Sequence, residues 1–124
     1  MNYFVTGATG FIGKRLVKKL LERKGSTVYF LLRAESADKV SDLHAYWGLT
    51  TAKAQARAVA VHGDLTRAKL GVSAADASML KGQVDHLYHL AAVYDLGADA
   101  ESQVAVNVDG TRHMVEFARA IDAG

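Results

Sequence analysis

Apolar residues along this chain come in two alternating rhythms. Short stretches rich in apolar residues occupy 2–6, 27–32, 58–62 and 84–90, with Tyr3-Phe4-Val5 and Thr27-Val28-Tyr29-Phe30-Leu31-Leu32 the clearest. All have strand length, and the first two show the near-continuous apolar pattern of strands buried on both faces of a parallel sheet. Between them the apolar positions recur every three or four residues. Phe11, Ile12, Leu16, Val17, Leu20 and Leu21 predict a first helix, with Lys14, Arg15, Lys18, Lys19, Glu22, Arg23 and Lys24 on its solvated side and Gly25 as its C-terminal cap. A second helix is predicted over 36–47, turning Val40, Leu43, Tyr46 and Trp47 inward, followed by a polar helical piece over 51–57. Ser73-Ala74-Ala75-Asp76 has capping-box spacing, so a short helix should run to about Lys81 and close at Gly82. A long last helix is predicted over about 100–121, with Val104, Val108, Thr111, Val115 and Ala118 on one stripe.

Four strands alternating with helices, without an internal repeat, predict one α/β domain over residues 1–124. The expected form is a Rossmann-like, doubly wound parallel sheet, truncated, with strand order 3-2-1-4 and right-handed crossovers. Ligands of such sheets lie at the carboxyl ends of strands one and four, where the winding reverses. That expectation gathers the loop after strand one, Arg33, Asp64-Leu65 and the segment Ala91-Ala92-Val93-Tyr94 around one crevice.

The loop after strand one carries the chemistry. Gly7-Ala8-Thr9-Gly10-Phe11-Ile12-Gly13 sets three glycines between a strand and a helix start. Backbone N–H groups and the positive end of the helix dipole then converge on one point, which suits a pyrophosphate. Gly7 is expected to make the turn, Gly10 to let a ligand approach the backbone, and Gly13 to let the helix lie close to the sheet. Gly7, Thr9, Gly10, Phe11, Ile12 and Gly13 are therefore candidate cofactor-binding residues. A Walker-type P-loop is excluded, because Lys14 is followed by Arg15 and not by Ser or Thr.

The end of strand two reads the adenosine ribose in sites of this type: an acidic residue accepts from a free 2′-hydroxyl, and an arginine takes a 2′-phosphate. Arg33 holds that position, which favours NADP(H) over NAD(H); the alternative leaves Arg33 as a strand-end decoration, with Glu35 on the ribose. Asp64 is expected to accept from the adenine amino group while Leu65 covers a ring face, or else Asp64 fixes its own loop. Ala91, Ala92 and Val93, after strand four, complete the candidate cofactor contacts.

Composition narrows the picture. The net charge is +2, which gives no case for nucleic acid or an anionic membrane, and there is no cysteine, which removes disulfides and thiolate-bound metals. No apolar run reaches membrane-spanning length and no signal-peptide pattern opens the chain, so a soluble, cytoplasmic protein is expected. His86 and His89 fall on opposite faces of a strand, and His44, His62 and His113 are scattered, so no metal is assigned. Asp95, Asp99 and Glu101 read as a charged loop and helix start. Asn107 is expected to be a buried amide, and Gly110 to permit close helix–sheet approach. The chain has no proline, where average usage would give about six; deliberate removal or reconstruction is the expectation.

Four stretches carry a resemblance: Thr6-Gly7-Ala8-Thr9-Gly10-Phe11-Ile12-Gly13, Gly63-Asp64-Leu65, His89-Leu90-Ala91-Ala92 and Asn107-Val108-Asp109-Gly110-Thr111. With them the chain resembles the N-terminal part of an extended short-chain dehydrogenase/reductase. Gly63-Asp64-Leu65-Thr66, Leu70-Gly71-Val72-Ser73 and Ala91-Ala92-Val93-Tyr94-Asp95 are similar to the acyl-thioester reductase branch, which includes bacterial fatty acyl-CoA reductases and the reductase domains of carboxylic acid reductases and peptide synthetases. The resemblance implies NADPH-dependent reduction of an acyl thioester to an aldehyde, or onward to an alcohol. It also implies a Tyr-x-x-x-Lys pair, yet no tyrosine here has a lysine four residues on; Tyr29 with Arg33 comes nearest, on the wrong strand. No catalytic residue is assigned, and the chain is expected to be a fragment that holds the cofactor without carrying out the reaction. Strand four would then expose an apolar edge, and a homodimer through residues 84–90 or through the last helix is expected. Three other readings remain open at this point: a non-catalytic nucleotide-binding module, a proline-free half-domain without activity, and a sugar-nucleotide epimerase or dehydratase.

Overall fold

A parallel ladder runs through the middle of the molecule in the computed structural model, which describes residues 1–8, 10–64, 68–89 and 112–121. β1 (Asn2–Thr6) pairs with β2 (Thr27–Leu32) on one side and with β4 (His86–His89) on the other. β3 (Ala58–His62) pairs with β2, giving the order β3-β2-β1-β4 that the sequence predicts. The register sets Val5 beside Phe30 and Tyr88, and Phe30 beside Ala60. β4 is shorter than the expected 84–90. Val84 is buried ahead of it, the Asp85 amide donates to Asn2 O at 2.9 Å, and Leu90 lies outside the described residues.

Alternation along the strands sends the core to both faces of the sheet. Tyr3, Val5, Val28 and Phe30 pack with Val17, Leu20, Leu43 and Trp47, from α1 (Phe11–Leu21) and from α2 (Lys39–Tyr46) with the residue that follows it. Phe4 and Val61 pack on the opposite face with Leu80, Met114, Phe117 and Ile121, from α4 (Ala74–Leu80) and from the helical stretch 112–120 with the residue that follows it. A short α3 (Ala52–Gln55) stands where a polar helical piece over 51–57 is predicted, with Thr51 Oγ1 accepting from the Ala54 amide at 3.1 Å. α4 keeps its predicted cap: Ser73 Oγ accepts from the Asp76 amide at 3.1 Å, and Gly82 adopts φ +74° beyond its end. No described helix is long and apolar enough to cross a membrane.

Several expected faces are corrected. Phe11 and Ile12 are 71% and 70% exposed, because the inward position of the first turn of α1 is taken by Gly13. α1 ends with Glu22 as its C-cap, and Gly25 takes φ +77° in the turn that follows instead of capping the helix. The second helix starts later than predicted, after a 3-10 turn at Ala34–Ser36. Trp47 anchors the core, edge-on to Phe30 and donating from Nε1 to Lys14 O at 3.0 Å, but Tyr46 lies at the surface under the Lys14 and Lys18 ammonium groups. In the last helix, Met114, Phe117 and Ile121 face the core while Val115 is exposed, so the inward stripe sits one position away from the predicted one. Residues 100–111 of that predicted helix, with Val104, Asn107, Val108, Gly110 and Thr111, lie outside the described residues, as do Asp95, Asp99 and Glu101.

Candidate functional site

The carboxyl edge of the sheet collects the described candidate residues. β1 runs out at Thr6, and Gly7 turns the chain with φ +79°. The Gly10 amide donates to Gly7 O at 3.1 Å, and Gly10, in extended conformation, is the N-cap of α1. Among the described residues no side chain caps this helix, and no acidic residue stands in its first turn. The first-turn amides have no intrahelical acceptor, so α1 points these donors and the positive end of its dipole at the loop.

The glycines divide by function. A Cβ at Gly13 would fall 1.8 Å from Gly7 O and 2.6 Å from Gly7 C, so α1 can approach the loop this closely only with glycine there. A Cβ at Gly10 would meet Gly7 O at 3.4 Å, an ordinary van der Waals contact, with no nearer neighbour among the described residues.

Arg33 follows the last residue of β2, and its guanidinium Nη2 lies 2.6 Å from Glu35 Oε1, with both side chains 65% exposed. Beyond β3, Gly63 extends the ladder by donating to Leu32 O at 3.1 Å, and the Asp64 amide donates to Leu70 O at 2.6 Å. Leu70 is fully buried in left-handed conformation at φ +59°, in a 3-10 turn at Ala68–Gly71. That backbone costs a leucine roughly 1–2 kcal/mol, which burial of its side chain offsets. The turn packs on Gly63, where a Cβ would lie 2.5 Å from Leu70 O. The structure thus brings Gly7, Gly10, Phe11, Ile12 and Gly13 onto one turn, and sets Arg33 and Asp64 after the carboxyl ends of β2 and β3. Thr9, Leu65, Ala91, Ala92, Val93 and Tyr94 lie outside the described residues.

Sequence reasoning missed one pair. Thr6, the last residue of β1, shares a hydrogen bond of 2.8 Å with His89 Nδ1 at the end of β4. The two residues are partners in the β1–β4 register, so the bond ties together the two strand ends that flank the switch point. Among the described residues no group of His, Asp or Glu could hold a metal ion. Burial pushes the His89 imidazole below the usual histidine range, so the folded chain disfavours its protonation. The unfolded chain then binds the proton more readily, and His89 favours folding above the ordinary value of 6.5. Its contribution fades as pH falls from there through the lower folded-state value. In urea denaturation at about pH 7.5 and about pH 5.5, His89→Gln should show a smaller loss of stability on acidification than the unaltered chain.

The family model described as Male sterility protein, an NAD-binding family, matches residues 5–124. The chain belongs to that family. Among its relatives, human fatty acyl-CoA reductase 1 is 30% identical over 129 residues, covering 95% of this chain and 25% of the relative. A linear gramicidin synthase from Brevibacillus parabrevis is 33% identical over 124 residues, covering 94% of this chain and 2% of the synthase. The crystal structure of the terminal R domain from the myxalamid PKS-NRPS biosynthetic pathway superposes with a TM-score of 0.75 at 30% identity, covering 94% of this chain and 31% of that one. The chain spans about a quarter of the length of the fatty acyl-CoA reductases it matches. The extended short-chain dehydrogenase/reductase resemblance, on its thioester-reductase side, and the Rossmann-like α/β fold are both borne out.

Proposed function

We propose that this chain is the NADP(H)-binding part of an enzyme that reduces acyl thioesters, carried on coenzyme A or on a carrier protein, to aldehydes or alcohols. The observation that carries the reading is the N-terminus of α1 behind the Gly7–Gly10 turn, where no described side chain caps the helix and a Cβ on Gly10 would meet no described atom nearer than Gly7 O at 3.4 Å. That cradle fits a pyrophosphate: its donors are backbone amides, its dipole end is positive, and no carboxylate competes in the first turn. Gly7, Thr9, Gly10, Phe11, Ile12 and Gly13 would hold the pyrophosphate, Arg33 the 2′-phosphate, Asp64 and Leu65 the adenine, and Ala91, Ala92 and Val93 the nicotinamide side. Bound NADPH supplies a hydride donor. The chain's own residues supply position: the Gly13 contact holds α1 against the turn, and the Thr6–His89 bond holds β1 to β4 beneath it. The tyrosine–lysine proton donor typical of the fold is not spaced within these residues, so the reading assigns binding to this chain, not proton transfer.

Calorimetric titration tests the assignment. Arg33→Ala should weaken NADPH binding by about tenfold or more, the scale of a charged hydrogen bond to phosphate, while changing NADH binding by no more than about twofold. Equal losses for the two nucleotides would remove Arg33 as the 2′-phosphate reader.

A further inference from the structure

We infer that Glu35 is a second reader of the adenosine ribose, and that its ion pair with Arg33 sets how strongly the site prefers NADP(H) over NAD(H). The inference rests on the dinucleotide reading above. Leu32, buried at the end of β2, fixes where the chain leaves the sheet. The next residues fold at once into the 3-10 turn at Ala34–Ser36, with the Ser36 amide donating to Arg33 O at 2.9 Å. This turn brings the side chain two positions on back beside Arg33, and the contact that results is a charge-assisted bond of 2.6 Å. An ion pair this exposed contributes little to folding. Its place at the end of β2 matters for a ligand instead.

The two partners want different cofactors. A guanidinium has five N–H donors, and the contact with Glu35 engages one nitrogen, which leaves other donors to meet a phosphate. The carboxylate nevertheless stays beside that phosphate, where like charges repel. NADP(H) must therefore bind against Glu35, or displace it from Arg33. NAD(H) meets the opposite situation. Its free 2′-hydroxyl can donate to the carboxylate, which Arg33 holds in position. Removing the charge at Glu35 should move the two affinities in opposite directions, an outcome that a purely structural role does not produce.

The test is calorimetric titration of the 124-residue chain with NADP+ and NAD+, for the unaltered protein, Glu35→Gln and Glu35→Asp. Glu35→Gln should tighten NADP+ by about fivefold and weaken NAD+ by a similar factor, the scale of one exposed charge pair. Glu35→Asp keeps the charge and should stay nearer the unaltered protein for both nucleotides. If Glu35→Gln leaves both affinities unchanged, or shifts them in the same direction, the inference is overturned while the dinucleotide reading stands. If the unaltered chain unfolds cooperatively yet binds neither nucleotide, the dinucleotide reading itself fails, and this inference with it.

Discussion

Gly13→Ala is expected to be the most damaging single substitution in the described part of the chain, lowering unfolding free energy by at least about 3 kcal/mol in urea denaturation. Intrinsic propensity points the other way, since alanine in a helix interior is favoured over glycine by about 1 kcal/mol. Sterics decide the sign. The new Cβ would sit 1.8 Å from Gly7 O, 2.6 Å from Gly7 C and 3.0 Å from Ala8 Cα, and all three are backbone atoms that no rotamer change can move. Relief requires α1 to lift from the turn, which would pull Val17, Leu20 and Leu21 out of their packing on the sheet. Gly10→Ala is the control: its Cβ meets Gly7 O at 3.4 Å, and the backbone at φ −76°, ψ 167° accepts alanine. That variant should lose no more than about 1 kcal/mol, as expected for an N-cap glycine replaced by alanine.

Arg57→Ala should give the second large effect, a loss of about 2–4 kcal/mol in the same measurement. Arg57 reaches from the residue before β3 to the end of α1, where Nη2 donates to Leu21 O at 2.7 Å, Arg23 O at 3.1 Å and Ser26 Oγ at 3.0 Å. Its Nε donates to Ser26 O at 3.1 Å. Ser26, itself buried, places Oγ within hydrogen-bonding distance of Leu20 O at 2.7 Å and Arg23 O at 2.8 Å. A cation at a helix C-terminus gains from the dipole, and here it also satisfies carbonyls that helix ending leaves open. Truncation removes the Arg57 donor from Leu21 O and Ser26 O, while Arg23 O keeps the Ser26 amide at 3.2 Å. Arg57→Lys restores the charge without the planar fork and should recover only part of the loss. Recovery to full stability would show that charge alone carries the effect.

The first three strands were legible because each is a mostly apolar run cut off by glycine or charge. The predicted bounds of 2–6, 27–32 and 58–62 are those observed. Helix faces were less so, for reasons that lie in packing. Periodicity marks Phe11 and Ile12 as apolar, but the rotation of α1 is set by the Gly13–Gly7 contact, which turns both residues to solvent at the mouth of the loop. In α2 the inward set is Val40, Leu43 and Trp47, at helical spacing; Tyr46 falls beside that stripe and meets lysines of α1 instead. In the last helix two adjacent stripes have the same spacing, and the bulkier one, Met114, Phe117 and Ile121, fills the core. At the site, the glycine spacing told which residues form the turn, and position along the sheet told where Arg33 stands. Two contacts could not be read that way. The Thr6–His89 bond joins residues far apart in sequence and needs the β1–β4 register to be seen, and the Arg33–Glu35 pair needs the 3-10 turn that folds one back beside the other.

Lys14, Arg15 and Lys18 line the outer side of α1, yet the structure gives each a local role. The Lys14 and Lys18 ammonium groups lie 4.9 and 5.7 Å from the Tyr46 ring centroid, and the Arg15 guanidinium lies 4.1 Å from that of Phe11. Cations stacked on aromatic faces account for these positions without a polyanionic partner.

Whether the turn after β1 is a dinucleotide cradle is decided by titrating Gly10→Ala with NADPH beside the unaltered chain. Among the described residues a Cβ on Gly10 meets nothing nearer than Gly7 O at 3.4 Å, so the methyl group should obstruct the pyrophosphate and little else. A variant that unfolds at nearly the same urea concentration as the unaltered chain, yet binds NADPH at least about tenfold more weakly, is the expected result. Unchanged NADPH affinity in a folded Gly10→Ala protein would refute the cradle, because the ligand could not then be lying on this turn.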